Sequence, residues 1–72
     1  MNQRLVGKTV KSLREQRGLT IVQLAEKSGL SHQTVRNLEY GRFAPAVETL
    51  ESLARALGVE LGALISPARA RA

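Results

Sequence analysis

Cysteine and aspartate are both missing from this chain, tryptophan is absent, and there is a single histidine. Without thiols, neither disulfides nor thiolate metal sites can supplement the core, and a reducing cytoplasm suits the chain. With one histidine, no aspartate and no clustered carboxylates, the usual groups of a catalytic pocket are lacking; Glu48 and Glu51 form only an ordinary i, i+3 pair. Neither enzymatic activity nor a cofactor is expected. His32 has the chemistry of a pH switch or a metal ligand, but standing alone it reads as a surface hydrogen-bond donor. No apolar run approaches the roughly 18 residues of a membrane span, and the opening MNQRLVGKTVKSLRE carries no hydrophobic signal segment. The expected location is the cytoplasm. At 72 residues there is room for one domain, near the lower size at which a core stabilises a fold unaided.

What is present is basic, and unevenly so. Eleven Lys and Arg face six Glu, a net charge of +5. Residues 1–42 hold eight of those cations (Arg4, Lys8, Lys11, Arg14, Arg17, Lys27, Arg36 and Arg42) against three carboxylates, Glu15, Glu26 and Glu39. Residues 43–72 are balanced, three against three. A basic half joined to a neutral half is the footprint of a polyanion binder, although basic surfaces also serve solubility alone.

Glycine divides the chain into helical lengths. Over residues 3–17, Val6, Val10 and Leu13 recur at i, i+4 and i+7, with Leu5 and Gly7 alongside, and Gly18 stands where a helix end favours positive φ. Thr20 followed by Gln23 is a capping-box pattern that opens a short second helix, with Leu24 and Ala25 inward and Gly29 as its stop. Ser31 is a good N-cap for a third, with Val35 and Leu38 on its core face and Gly41 at its end. After Pro45, a fourth segment turns Val47, Leu50, Leu53, Ala54 and Leu57 inward and ends at Gly58. A last turn or two, ELGALI, presents Leu61, Leu64 and Ile65. No strand pattern appears, so the class is all-α. The domain is expected over residues 1–65, and SPARARA, residues 66–72, is expected to be a loose basic tail.

The third helix has a two-sided composition. At about 100° per residue, His32, Gln33, Arg36, Asn37 and Tyr40 fall within one arc of roughly 140°, and Thr34, Val35 and Leu38 lie opposite. A generic solvated face favours Lys and Glu, whereas this one offers imidazole, amide, guanidinium and phenol groups suited to directional hydrogen bonding. Two short helices joined by a tight glycine turn, here KSGLS with Leu30 as an inward plug, form a helix-turn-helix if they cross steeply.

From LREQRGLT through QLAEKSGLS and TVRNLEYG to the ETL-x-x-LARALGV segment, the chain resembles the Cro/C1-type (XRE-like) helix-turn-helix domains of phage repressors and bacterial transcriptional regulators. The resemblance covers about residues 5–65. It implies a compact, lambda-repressor-like bundle of five short helices, the second and third forming the helix-turn-helix, with the third entering the DNA major groove. It implies a sequence-specific regulator, a repressor by expectation, that binds an inverted-repeat operator in double-stranded DNA as a homodimer and stays with the nucleoid. His32, Gln33 and Asn37 are the implied base readers, with Thr34 and Arg36 next. Gln33 and Asn37 suit adenine, Arg36 and His32 suit guanine edges, and Thr34 suits a thymine methyl or a phosphate. Phosphate contacts are expected at Thr20, Ser31, Tyr40, Arg42 and Phe43, through backbone N–H groups, helix N-termini and the loop over residues 41–44. Tyr40 alternatively covers the edge of the core. Arg14 and Glu39 are implied to be a buried structural ion pair.

Two positions depart from the family pattern. Ile21 stands where many members carry a glutamine that braces the third helix, and Ala46 replaces a small hydroxyl residue before the fourth. Ile21 and Val22 together support a rival reading, a protein-interaction module or antitoxin-like component that binds a partner protein. Val59, Leu61, Leu64 and Ile65 are either a dimer surface or closure of the core.

Overall fold

The computed structural model describes residues 2–65. Met1 and the stretch expected to be a loose tail, residues 66–72, lie outside the described residues. Five helices follow one another: α1 (Gln3–Gln16), α2 (Ile21–Ser28), α3 (His32–Glu39), α4 (Val47–Leu57) and α5 (Leu61–Ile65). No strand occurs among the described residues, and none of the helices is long and apolar enough to cross a membrane.

Each start has a local cause. Asn2 Oδ1 accepts the Leu5 N–H at the head of α1. Thr20 and Gln23 exchange hydrogen bonds in a complete capping box at α2. Ser31 Oγ accepts the Thr34 N–H at α3. Such oxygens satisfy donors that the first helical turn leaves unpaired. At α4 the N-cap is Ala46, which has no side-chain oxygen and makes no cap bond.

The helix ends share one device. After α1, α2, α3 and α4 a glycine turns left-handed, and the next residue's N–H returns to a carbonyl five residues back: Leu19 to Arg14, Leu30 to Ala25, Arg42 to Asn37 and Val59 to Ala54. The turn between α2 and α3 depends on this, since Gly29 at φ 75° lets the chain reverse within three residues.

Val6, Val10, Leu24, Ala25, Val35, Leu38, Leu50, Leu53, Ala54, Leu57 and Leu64 form the core, drawn from all five helices. Leu13, Leu19, Leu30 and Phe43 pack partly buried around it. Val47 is the exception to the expected stripe. It is 54% exposed at the first position of α4. Periodicity sets the direction a side chain faces, not how far along the helix a neighbour extends.

Contacts remote in sequence hold α3 in place. Gly7 of α1 lies so close to the end of α3 that a Cβ there would clash with Leu38 O and stand 2.7 Å from Glu39 O. Gln3 Nε2 donates to Gly41 O at 2.9 Å. On another side of the bundle, Arg17 Nε donates to Leu57 O at 2.6 Å and so joins the end of α1 to the end of α4.

Candidate nucleic-acid interface

The inner side of α3 is fixed by Val35 and Leu38, both fully buried. Its outer side presents His32, Gln33 and Arg36, all exposed, with Asn37 half-buried beside them. Thr34 is half-buried, and its Oγ1 accepts a hydrogen bond from Ser31 Oγ at 2.8 Å. The Thr34 hydroxyl oxygen is therefore tied to the helix cap, and its own O–H proton and its methyl remain free. The Ser31 hydroxyl proton is used in the same bond and the Thr34 N–H in the cap, so the N–H groups of His32 and Gln33 are the donors left at this helix start for an anion.

At the other end of α3, three side chains meet. Arg42 Nη1 donates to Asn37 Oδ1 at 2.9 Å, and the guanidinium carbon sits 4.7 Å from the centroid of the Tyr40 ring. Tyr40 is 64% exposed, so the alternative of an aromatic sealing the core does not describe it. Phe43 does pack, partly buried, against the core.

Below this surface lies the ion pair. Arg14 Nε donates to Glu39 Oε2 at 2.7 Å and Nη2 to Oε1 at 3.1 Å, while Nη1 donates to Leu19 O at 2.7 Å. The fork geometry satisfies both carboxylate oxygens and ties α1, α3 and the α1–α2 turn together. The hydrogen bonds to Glu39 hold the Arg14 guanidinium above its ordinary pKa, against the opposing pull of burial. Ile21, Arg36, Tyr40 and Lys11 border the same cleft, of about 130 Å³. Ile21 is thus half-buried and packs against the core. Of the two aliphatics that support the rival reading, Val22 is the more exposed, at 52%.

The C-terminal aliphatics need one correction. Leu64 is 0% exposed and belongs to the core, so it is not available to a partner subunit. Val59, Leu61 and Ile65 pack against the core while keeping an accessible edge.

Sequence reasoning missed the joining of Asn37, Tyr40 and Arg42. Its signal was present: among the glycine-ended helices only α3 is followed by a charged residue, where Leu19, Leu30 and Val59 follow the others. It also missed the reach of Arg17 to Leu57, for which no local pattern exists.

An exposed polar helix, seated on a short partner helix through a tight glycine turn, defines a helix-turn-helix protein. The chain matches the helix-turn-helix family (HTH_3) over residues 10–64. It is 43% identical over 60 residues to the immunity repressor protein of Bacillus phage phi105, covering 83% of this chain and 42% of that protein. It thus spans about two fifths of the length of that repressor. An uncharacterized HTH-type transcriptional regulator, y4dJ of Sinorhizobium fredii, is 44% identical over 64 residues, covering 89% of this chain and 83% of the other. Among solved structures, the clp gene regulator ClgR from Corynebacterium glutamicum superposes with a TM-score of 0.87 at 30% identity, covering 99% of this chain and 76% of that one. The chain belongs to the Cro/C1-type helix-turn-helix family of transcriptional regulators, which are DNA-binding proteins and not enzymes.

Proposed function

We propose that this chain is a sequence-specific double-stranded DNA-binding repressor that lays α3 in the major groove and binds an inverted-repeat operator as a homodimer. The observation that carries the reading is the two-sided α3: Val35 and Leu38 are fully buried, while His32, Gln33 and Arg36 stand exposed on the other side with Asn37 beside them. Long polar side chains on a firmly seated helix suit base edges, and Gln33, Asn37, His32 and Arg36 supply the donors and acceptors that adenine and guanine present in the major groove. Thr34 contributes its methyl to a thymine or its hydroxyl proton to a phosphate.

Phosphates are met by Thr20, Ser31, Tyr40, Arg42 and the backbone of the Phe43 loop, which fix the register of the helix on the duplex without reading sequence. The basic bias of residues 1–42 draws the duplex in. One such domain covers one half-site. The accessible edges of Val59, Leu61 and Ile65 are the surface on which a second copy would seat. The chain acts in the cytoplasm, on the nucleoid.

Selection of duplexes from a random pool by the purified chain tests the reading. The expected outcome is an enriched inverted repeat with half-site centres about ten base pairs apart, the spacing that places both α3 helices on one face of the duplex. Enrichment of a single half-site overturns the homodimer. No enrichment by a folded chain overturns DNA reading itself.

A further inference from the structure

We infer that Arg42 and Tyr40 are positioning residues that set the Asn37 amide in one orientation for base reading. The inference rests on the reading of α3 as the base-contacting helix.

Where three helix ends place an aliphatic after the glycine, α3 places Arg42, and that residue holds Asn37 twice. Its backbone N–H donates to Asn37 O at 3.0 Å, and its Nη1 donates to Asn37 Oδ1 at 2.9 Å. The guanidinium is itself held, with its carbon 4.7 Å from the centroid of the Tyr40 ring, within the distance at which a cation is attracted to an aromatic face. Both side chains are exposed, so this is an arrangement of the surface and not of the core.

The chemistry then decides which way the amide points. Arginine has only donors, so only the carbonyl end of Asn37 can face it. One Oδ1 lone pair goes to Arg42, and the second lone pair and the NH₂ group remain. An asparagine presenting one acceptor beside one donor matches the N6–H and N7 edge of adenine, whereas guanine shows two acceptors there. An unbraced amide would rotate to offer two N–H groups as readily. Arg42 thus acts on base choice through Asn37, while its remaining N–H groups stay free for a phosphate, and Tyr40 acts on this orientation through its ring, which leaves its hydroxyl for a phosphate.

The test uses the full chain in duplex selection and competition binding at one fixed salt concentration, with folding checked by circular dichroism. Asn37→Ala first identifies the base position that this side chain reads. Arg42→Ala is then expected to lower adenine-over-guanine discrimination at that position by roughly five- to tenfold and to leave discrimination at other positions intact. Tyr40→Phe keeps the ring and so keeps the parent's base preference at that position, even where loss of the hydroxyl lowers affinity for all sequences alike, while Tyr40→Ala lowers the preference as Arg42→Ala does. The double variant Asn37→Ala/Arg42→Ala loses no further discrimination at that position. If Arg42→Ala weakens every sequence by one factor and keeps the base preference, Arg42 is a backbone contact only and the inference is overturned. A folded parent chain that selects no sequence removes the premise itself, an outcome distinct from that one.

Discussion

The turn after α2 and the turn after α3 are built alike and used differently. Both have a left-handed glycine, Gly29 and Gly41, and both return the next N–H to a carbonyl five residues back. After Gly29 comes Leu30, which packs against the core and joins the two helices of the motif. After Gly41 comes Arg42, which turns outward onto Tyr40 and Asn37. The backbone solution to ending a helix leaves the next side chain uncommitted. At one site that freedom goes to packing, at the other to the polar surface. The surroundings differ too: a Cβ on Gly29 would meet open space, whereas one on Gly41 would stand 3.0 Å from the backbone of Arg4.

The largest effect should come from removing what anchors the second turn. Glu39→Ala strands Arg14 in a nearly buried site, and unfolding in denaturant should show a loss of about 3–5 kcal/mol. An unchanged midpoint would mean that the pair is dispensable. Next, alanine at the two glycines separates strain from space. Gly29→Ala should cost about 1–2 kcal/mol for the left-handed backbone alone. Gly41→Ala carries that strain plus a close approach to Arg4, and should lose a further 1 kcal/mol or so. Equal losses would remove the distinction drawn between the turns. The residues that follow the glycines differ from each other: Leu30 matches the cost at Gly29, and Arg42 has the smallest effect. Leu30→Ala, truncating a half-buried plug, should lower stability by about 1–2 kcal/mol, below the range for fully buried leucines. Arg42→Ala should leave the thermal midpoint in place. A destabilisation as large as that of Leu30→Ala would make the Arg42 cluster a structural one.

Much of the fold was legible because it is locally encoded. The Thr20–Gln23 capping box, the Ser31 cap, the glycine stops and the inward positions of Val6, Val10, Val35 and Leu38 depend on neighbours within about one turn, the range over which spacing carries information. Val47 was misread because a stripe extends mathematically to the end of a helix, whereas burial requires another element there. The burial of Leu64 is not legible in the sequence because α5, at five residues, is too short for its period to choose a side. The partners of Gln3 and Arg17 are carbonyls 38 and 40 residues away, and a main-chain acceptor has no residue type by which to recognise it. At the candidate site, periodicity separated the outer face of α3 from its inner face, and the Arg14–Glu39 pairing entered through the family resemblance. The Arg42–Asn37 bond spans only five residues, but it follows from the geometry of a turn rather than from the period of a helix.

The close approach at Gly7 has a consequence for how such a chain can vary over generations. Any side chain there presses on the carbonyls of Leu38 and Glu39, so the position admits almost no alternative. His32, Gln33 and Arg36 are exposed on the same helix and can be exchanged without touching what holds it. With α3 as the proposed reading helix, lineages carrying this domain can therefore move from one regulatory target to another by short mutational paths through folded intermediates.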